Sequence, residues 1–578
     1  MKVLLTALNA KYIHSSLALR SLKAYADPEG KYTCIKEYTI NNRVEFIVSD
    51  IYKEKPDYIG FSCYIWNIEM IKNIARRLKK VLPETVMVFG GPEVSYDSAD
   101  FLRENEFADI IMRGEGERTY KNLLEAWKCG REYYNVDGIS YRKDGVISEN
   151  PNVEPLCLDD IPFVYDNAEE FKNKIIYYET QRGCPYNCQY CLSSVEKGVR
   201  FLSEERVKSD LKFFIDNKVK QVKFVDRTFN CNHEHAMMIW KYIMDNDNGI
   251  TNFHMEITAD ILRKEAIEML RKARTGLFQF EIGVQSTNEM TIDAIKRNTK
   301  FGGITDVVKN IAVGGNIHQH LDLIAGLPYE DYKSFEKSFD DVYRLEPEQL
   351  QLGFLKLLRG SGLRKDAEKY GIVYTDEAPY EVLYTKEMTF DDMLRLKGVE
   401  EMVETFYNSS KSLNTIKYAV DIIGKPFKFF EDLSIWWADN GFDEISHSKT
   451  ELYGRLFEFL RNYLPLKEHI DDIKEILRYD IFLGDNFKNI PESIAGNMSD
   501  DEKKFERDFY NDENNVNKYI PKLSSYTPKQ LLRMCRIEFF NINPITKRKR
   551  KTAVLFNYYG RDAIFNKAEA EIVWEEEE

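Results

Sequence analysis

No apolar run in the sequence approaches the ~20 residues that a membrane-spanning helix requires. The opening MKVLLTALNAKYIHSS has too short an apolar stretch for a secretion signal and reads as a first strand. No internal repeat of ~20–50 residues is visible, which argues against solenoids and propellers. Cysteine is scarce and odd in number, nine in 578 residues. With no export signal, that count speaks against a disulfide framework and for reduced thiols or metal ligands. Positive charge is in deficit: 81 Lys and Arg stand against 95 Asp and Glu, a net charge of −14. An acidic whole argues against a surface that coats nucleic acid. Membrane, secreted and fibrous classes fall away, and a cytoplasmic globular protein is expected. The 43% hydrophobic and 30% charged residues suit sizeable cores. At ~150 residues per domain, the length predicts three or four domains.

Residues 1–130 alternate short apolar runs with amphipathic stretches. KVLLTAL, TCIKEYTI, YIGFSCYIW, VMVFGG and DIIMRG read as buried strands. Between them, IEMIKNIARRLKKVL places apolar residues three and four apart, as a helix does. The alternation predicts an α/β fold, a Rossmann-like or flavodoxin-like parallel sheet that binds ligand at the carboxyl ends of its strands. Residues 131–172 read as a connector with a hairpin turning at Asp144-Gly145. Residues 173–358 repeat strand and helix, and predict a partial (β/α)6 barrel, short of the eight units of a closed one. Residues 359–578 change to long helical patterns, with KTAVLFNYY as the late strand signal.

Six cysteines are scattered: Cys34, Cys63, Cys129, Cys157, Cys231 and Cys535. The other three sit together in ETQRGCPYNCQYCLSS as Cys184, Cys188 and Cys191. Three thiolates on so short a loop can wrap one soft metal centre. A structural zinc would want a fourth ligand, and the nearest other donors, Cys231 and His233, lie past a further predicted strand. A 4Fe–4S cube that only carries electrons also wants four. Three leave one iron open to a substrate or cosubstrate. Gly183 and Pro185 favour a sharp turn after the strand, at the ligand-binding face of the barrel. Zinc and chance clustering are the competing readings.

This spacing of cysteines, three then two apart, resembles the signature of the radical S-adenosylmethionine (SAM) superfamily. The resemblance runs across residues 173–358. Asp226 in FVDRTF looks like the second-strand position that meets the methionine amino group. Glu256 in HMEITAD, with Gln285 and Ser286 in EIGVQS, resembles the polar positions around the ribose and methionyl carboxylate. DLIAGLP, with Gly326 and Pro328, resembles the Gly motif that supports adenine. Arg227 stands where the family often carries a second acid. The resemblance implies that SAM chelates the open iron through its amino and carboxylate groups. It further implies reductive cleavage to methionine and a 5′-deoxyadenosyl radical that takes hydrogen from an unactivated carbon.

The N-terminal sheet beside such a barrel resembles the cobalamin-binding radical SAM class. The matching residues are Ser62, Gly90, Gly91, Pro92 and the RGEGE segment from Arg113 to Glu117. Small residues there would let the backbone approach a corrin. The Asp-x-His-x-x-Gly pattern of cobalamin mutases is missing, and His14 is expected to make an ordinary hydrogen bond. Tyr64 and Trp66 could cover a corrin face or pack. The helical region past 359 resembles the C-terminal extension of a subgroup of uncharacterised cobalamin-type radical SAM proteins, with no activity to carry over.

The resemblance implies a cobalamin-dependent methyltransferase with a 4Fe–4S cluster, SAM and cobalamin, and an electron donor such as ferredoxin or flavodoxin. One alternative is a radical enzyme of oxidation or rearrangement, with or without cobalamin. Another is a redox or regulatory protein that binds cluster and corrin without turnover. The substrate is not written in the sequence. His318 and His320 alternate along a predicted strand and would share a face. His233 and His235 mark a helix start, and the KRKRK run (Lys547–Lys551) reads as a solvated turn or a phosphate contact.

Overall fold

Strands covered on both faces read as near-continuous apolar runs, and the five runs in the first 130 residues are five parallel strands. A computed structural model of the chain describes residues 1–195, 198–487, 490–561 and 567–577. β1 (Val3–Asn9), β2 (Thr33–Thr39), β3 (Tyr58–Ser62), β4 (Val86–Gly90) and β5 (Ile110–Met112) pair in the order 2-1-3-4-5. Helices Leu17–Ala26 and Gly116–Lys128 cover one face through Leu19, Leu22, Tyr120, Leu123 and Trp127. Val44–Glu54 and Ile68–Val81 cover the other. The second of these is helical because Ile68, Ile71, Ile74, Ala75 and Leu78 recur three and four apart on one buried stripe. Each fully buried aliphatic side chain contributes ~1.5–3 kcal/mol, so the stripe anchors the helix on the sheet. The order places β1 between β2 and β3. The chain therefore leaves β1 and β3 towards opposite faces, and a crevice opens at their carboxyl ends.

The hairpin expected in the connector belongs to this sheet. β6 (Ile139–Lys143) pairs antiparallel with β5, and β7 (Val146–Glu149) follows as the seventh strand. Its turn has Asp144 at φ 48° and Gly145 at φ 79°, the left-handed pair that a two-residue hairpin turn demands.

All six strands expected in the central region are present. β8 (Ile176–Tyr178) leads into a two-stranded ribbon, β9 (Gln181–Arg182) with β10 (Arg200–Phe201). β11 (Gln221–Phe224), β12 (Asn252–Ile257), β13 (Phe278–Gln285), β14 (His318–Ala325) and β15 (Gln349–Phe354) follow in chain order. The sheet runs β8-β11-β12-β13-β14-β15, with β8 and β15 at its edges. Strands that add in one direction, each followed by a helix, curl into an open barrel.

The chain divides into two compact units: residues 1–332 with 353–390, and residues 333–352 with 391–578. In the first, the β1 loop meets the edge of the barrel: Ile175 N donates to Ile13 O at 2.8 Å. The second is mostly helical. It also holds a three-stranded antiparallel sheet, Cys535–Phe540, Thr552–Arg561 and Ala568–Glu575, of which KTAVLFNYY was the legible strand. Among the described residues no helix is long and apolar enough to cross a membrane.

Candidate functional site

The cysteine loop is closed at its base by the β9–β10 ribbon. Gly183 takes φ +99°, and a Cβ there would lie 2.1 Å from Gly198 O, so only glycine lets the two ends of the loop meet. Cys191 N donates to Cys188 O at 3.1 Å, and Ser194 Oγ to Cys191 O at 2.7 Å. Gln189 N reaches Ile295 O at 2.9 Å, which pins the loop to the barrel. Cys184 Sγ stands 3.6 Å from Thr228 Oγ1 at the end of β11.

All three thiols line one cavity of about 170 Å³. Its other walls come from successive strand ends: Arg227 and Thr228, Glu256 and Thr258, Glu281, Gly283 and Gln285, and Asp322. Burial pushes the Cys188 thiol up, and Arg297 pulls it back towards the thiolate. Arg297 also donates to Tyr190 Oη at 2.9 Å and to Gly283 O at 2.6 Å. Burial pushes Glu256 up, with Arg227 Nη1 3.8 Å away in partial compensation. Burial raises Asp322 well above the carboxylate range, and Glu281 and Glu256 add to it. Burial opposes the charge on Glu281 as well, but His254 and Lys223 overcome it and hold that carboxyl well below its usual range.

Four of the expected SAM contacts lie elsewhere. Asp226 is fully buried, and Thr180 N and Gln181 N donate to its Oδ1 at 2.8 and 3.1 Å, while the Thr180 hydroxyl donates to Oδ2. Its carboxyl therefore ties β11 to the strand that carries the cysteine loop, and it does not line the cavity. The Ser286 hydroxyl turns away to donate to Glu330 Oε1 at 2.6 Å. Gly326, at φ +87°, and Pro328 follow β14 without lining the cavity. Glu256 and Gln285 do line it. Arg297 and Glu281 were missed. Arg297 lies beyond a helix with no spacing signal, whereas Glu281 could have been found from FQFEIGVQ, where Gln279, Glu281 and Gly283 alternate with apolar residues and share one face.

At the N-terminal sheet, the expected small residues serve the backbone. Gly91 has φ +110°, and a Cβ there would meet Cys63 O at 2.5 Å. Cys63 N donates to Gly90 O at 2.7 Å, Pro92 starts the short helix Pro92–Ser95, and Ser62 is 7% exposed. Glu115 and Glu117 of the RGEGE segment form ion pairs with Arg182, and Glu115 also with Arg200, so they grip the ribbon under the cysteine loop. The open surface at the β1/β3 crevice is aromatic instead. Tyr12 is 72% exposed, and Trp66, 47% exposed, stacks on Tyr64 with centroids 4.4 Å apart. His14 Nδ1 lies 2.6 Å from Tyr177 Oη on β8, which is the hydrogen bond expected of it.

Family comparison agrees with this layout. Residues 3–124 match the B12 binding domain, residues 178–342 the radical SAM superfamily, and residues 368–556 a protein family of unknown function, DUF4080. The chain carries a B12-binding domain followed by a radical SAM domain. Its relatives include an uncharacterised methyltransferase of Pyrococcus horikoshii, 27% identical over 61% of this chain and 76% of that one. The cobalamin-dependent radical SAM methyltransferase TokK of Streptomyces tokunonensis is 24% identical over 64% of this chain and 58% of its own length. An anaerobic magnesium-protoporphyrin IX monomethyl ester cyclase of Synechocystis is 27% identical over 53% of this chain and 62% of that one. Among solved structures, OxsB with aqua-cobalamin superposes with a TM-score of 0.59 over 91% of this chain and 84% of that one, at 15% identity. TsrM from Kitasatospora setae does so at 0.55 over 66% and 79%, also at 15% identity. These two likenesses concern the fold.

A radical SAM enzyme of this kind takes a 4Fe–4S cluster, SAM and cobalamin, and works on a substrate with a reductant. The residues present fit each group. A cube takes one thiolate at each of three corners, and three thiols ring the cavity with the Arg297 cation beside them. Among the described residues no three His, Cys, Asp or Glu side chains converge as a single-ion site requires. For SAM, the cavity offers a guanidinium, carboxylates and the Gln285 carbonyl oxygen, which is buried and accepts no hydrogen bond from a described residue. For a corrin, the crevice offers broad aromatic faces open to solvent, where apolar surface marks a binding site.

Proposed function

We propose that the chain is a cobalamin-dependent radical SAM methyltransferase that adds a methyl group to an unactivated carbon of its substrate. Together the bound cofactors supply a 5′-deoxyadenosyl radical and a transferable methyl group. The side chains hold and shield. Cys184, Cys188 and Cys191 grip three corners of the cluster. Arg297 offsets thiolate charge and is placed to pair with the SAM carboxylate. Glu256 and Gln285 face the nucleoside end. The helices around the barrel exclude water, which a carbon radical requires.

The observation that carries this reading is the cysteine-lined cavity, with an aromatic crevice of the B12-binding domain in the same compact unit. We place the protein in the cytoplasm, with ferredoxin or flavodoxin as reductant. The test is anaerobic turnover of the reconstituted enzyme with methyl-deuterated SAM and extracts of its own cells. A metabolite heavier by the labelled methyl group, together with 5′-deoxyadenosine, is the expected result. 5′-Deoxyadenosine with no methylated product would favour the second reading, oxidation or rearrangement. The similarity to the Synechocystis cyclase supports that alternative.

A further inference from the structure

The inner face of the barrel is polar where barrels of this type pack branched apolar side chains. Tyr177, Lys223, His254, Gln279 and His318 stand at one register level on five adjacent strands. Glu256, Glu281 and His320 form the next level, and Gly283 and Asp322 the one above. Residues two apart on a strand share a face, so the levels stack and the upper two open into the cysteine-lined cavity.

Glu281 is the pivot of this stack. Lys223 Nζ donates to its Oε2 at 3.0 Å, and His254 Nε2 lies 3.0 Å from the same oxygen. Lys223 reaches the carboxylate from β11, two strands away, and the His254 ring stands beside it on the adjacent β12; Oε1 accepts no hydrogen bond from a described residue. The cavity also holds a second orphan. β13 bulges between Gly283 and Gln285, and Gln285 takes φ +72°. Its side chain folds over Gly283, where a Cβ would meet Gln285 Nε2 at 2.2 Å. Gln285 is 8% exposed, and its Oε1 accepts no hydrogen bond from a described residue. Bulges near a site re-aim side chains, and this one points a buried acceptor at a ligand that brings a donor.

We propose that Glu281, held by Lys223 and His254, anchors a protonated amine on the substrate that shares this cavity with SAM. The inference rests on the methyltransferase reading and names its substrate class. A group that brings several donors is favoured because the two atoms left open, Glu281 Oε1 and Gln285 Oε1, are both acceptors. Glu256 and Asp322 flank Glu281, Arg227 Nη1 stands 3.8 Å from Glu256 Oε1, and Arg297 donates to Tyr190 and Gly283. A carboxylate brings no donor to either atom. The amino group of SAM is not the partner, because the family resemblance commits it to the cluster iron.

The test is equilibrium binding to the full chain loaded with cluster, SAM and cobalamin, read by saturation-transfer NMR. The probes are n-butylammonium, n-butanol and butyrate. The amine should bind about tenfold or more tightly than the other two, the size of one charge-assisted hydrogen bond. Glu281→Gln should abolish the preference, with iron content and circular dichroism reporting the fold. Equal binding of the three probes by the native protein overturns the proposal, as does an amine preference that survives in Glu281→Gln. Native-protein selectivity decides even if a variant fails to fold. Formation of 5′-deoxyadenosine is scored separately: its absence sinks the radical reading while the amine measurement still judges Glu281.

Discussion

Arg182 Nη2 stands 2.9 Å from Glu117 Oε1, which joins the strand under the cysteine loop to the B12-binding domain. Glu115 and Glu179 also reach Arg182, and Arg200 pairs with Glu115 from the other strand of the ribbon. Two arginines and three glutamates therefore fix the loop that would carry the cluster against the rim of the domain that would carry the corrin. Arg182 and Glu117 are largely buried, so removing one partner leaves a charge in a poorly solvated place, at a cost of ~3–5 kcal/mol. Arg182→Met is expected to lower the urea midpoint and to loosen cobalamin binding together. Corrin affinity and urea unfolding, measured on one preparation, check the coupling. An Arg182→Met protein with native affinity for cobalamin would refute it.

Arg297 should govern iron and SAM retention together. It supplies the positive charge that draws Cys188 towards the thiolate against the effect of burial. Arg297→Met keeps the length of the side chain and removes the charge. Iron per chain after anaerobic reconstitution should fall, and SAM affinity should drop about ten- to hundredfold, the size of a lost hydrogen bond to a charged group. Arg297→Lys should recover part of both, because a point charge cannot reach Tyr190 and Gly283 at once. Iron analysis and equilibrium dialysis with labelled SAM decide it.

Gly91→Ala should destabilise the N-terminal sheet although it adds one methyl group. The backbone there is left-handed, and the Cβ would lie 2.5 Å from Cys63 O, a backbone atom that cannot give way cheaply. A loss of more than ~1 kcal/mol is expected. Gly145→Ala at the hairpin turn is the control: it shares the positive φ but has no neighbour within 4 Å. Thermal unfolding of both should rank Gly91→Ala as the worse, and equal shifts would mean the clash is relieved by movement of the loop.

The N-terminal sheet was legible because a strand buried on both faces is an apolar run, and the central one because its strands alternate apolar residues with polar ones. The cysteine trio was legible because its three thiols are neighbours in sequence. Arg182, Glu115 and Glu117 were not, since ion partners some 65 residues apart leave no pattern in the chain. Asp226 misled for a related reason. An acid at a strand end reads alike whether it faces a cavity or, as here, two backbone amides of the next segment. The hairpin at Asp144-Gly145 was visible, but which strand it would join was not, because edge pairing is decided by what is left uncovered. In the C-terminal sheet, Ala568–Glu575 alternates acids with apolar residues and so lacked the apolar run that marked Thr552–Arg561.

Asp226 should make the fold less stable as pH rises from acid towards neutral. Burial pushes its carboxyl up to about 7, although Thr180 and Gln181 donate to it. In the unfolded chain the same group releases its proton near 3.8. Between those two values the native state holds a proton that the unfolded state has lost. Raising the pH through that window therefore costs stability, by at most ~1.4 kcal/mol per pH unit from this one group. Below about 4 both states are protonated and the penalty is absent. Asp226→Asn keeps a carbonyl oxygen for Thr180 N and Gln181 N, and its amide can donate to the Thr180 hydroxyl, so the local bonds survive without the titration. Urea unfolding of both proteins at intervals from pH 4.5 to 7.5 should show the variant gaining on the native chain up to about pH 7. Parallel pH profiles would mean that the three donors keep Asp226 ionised throughout.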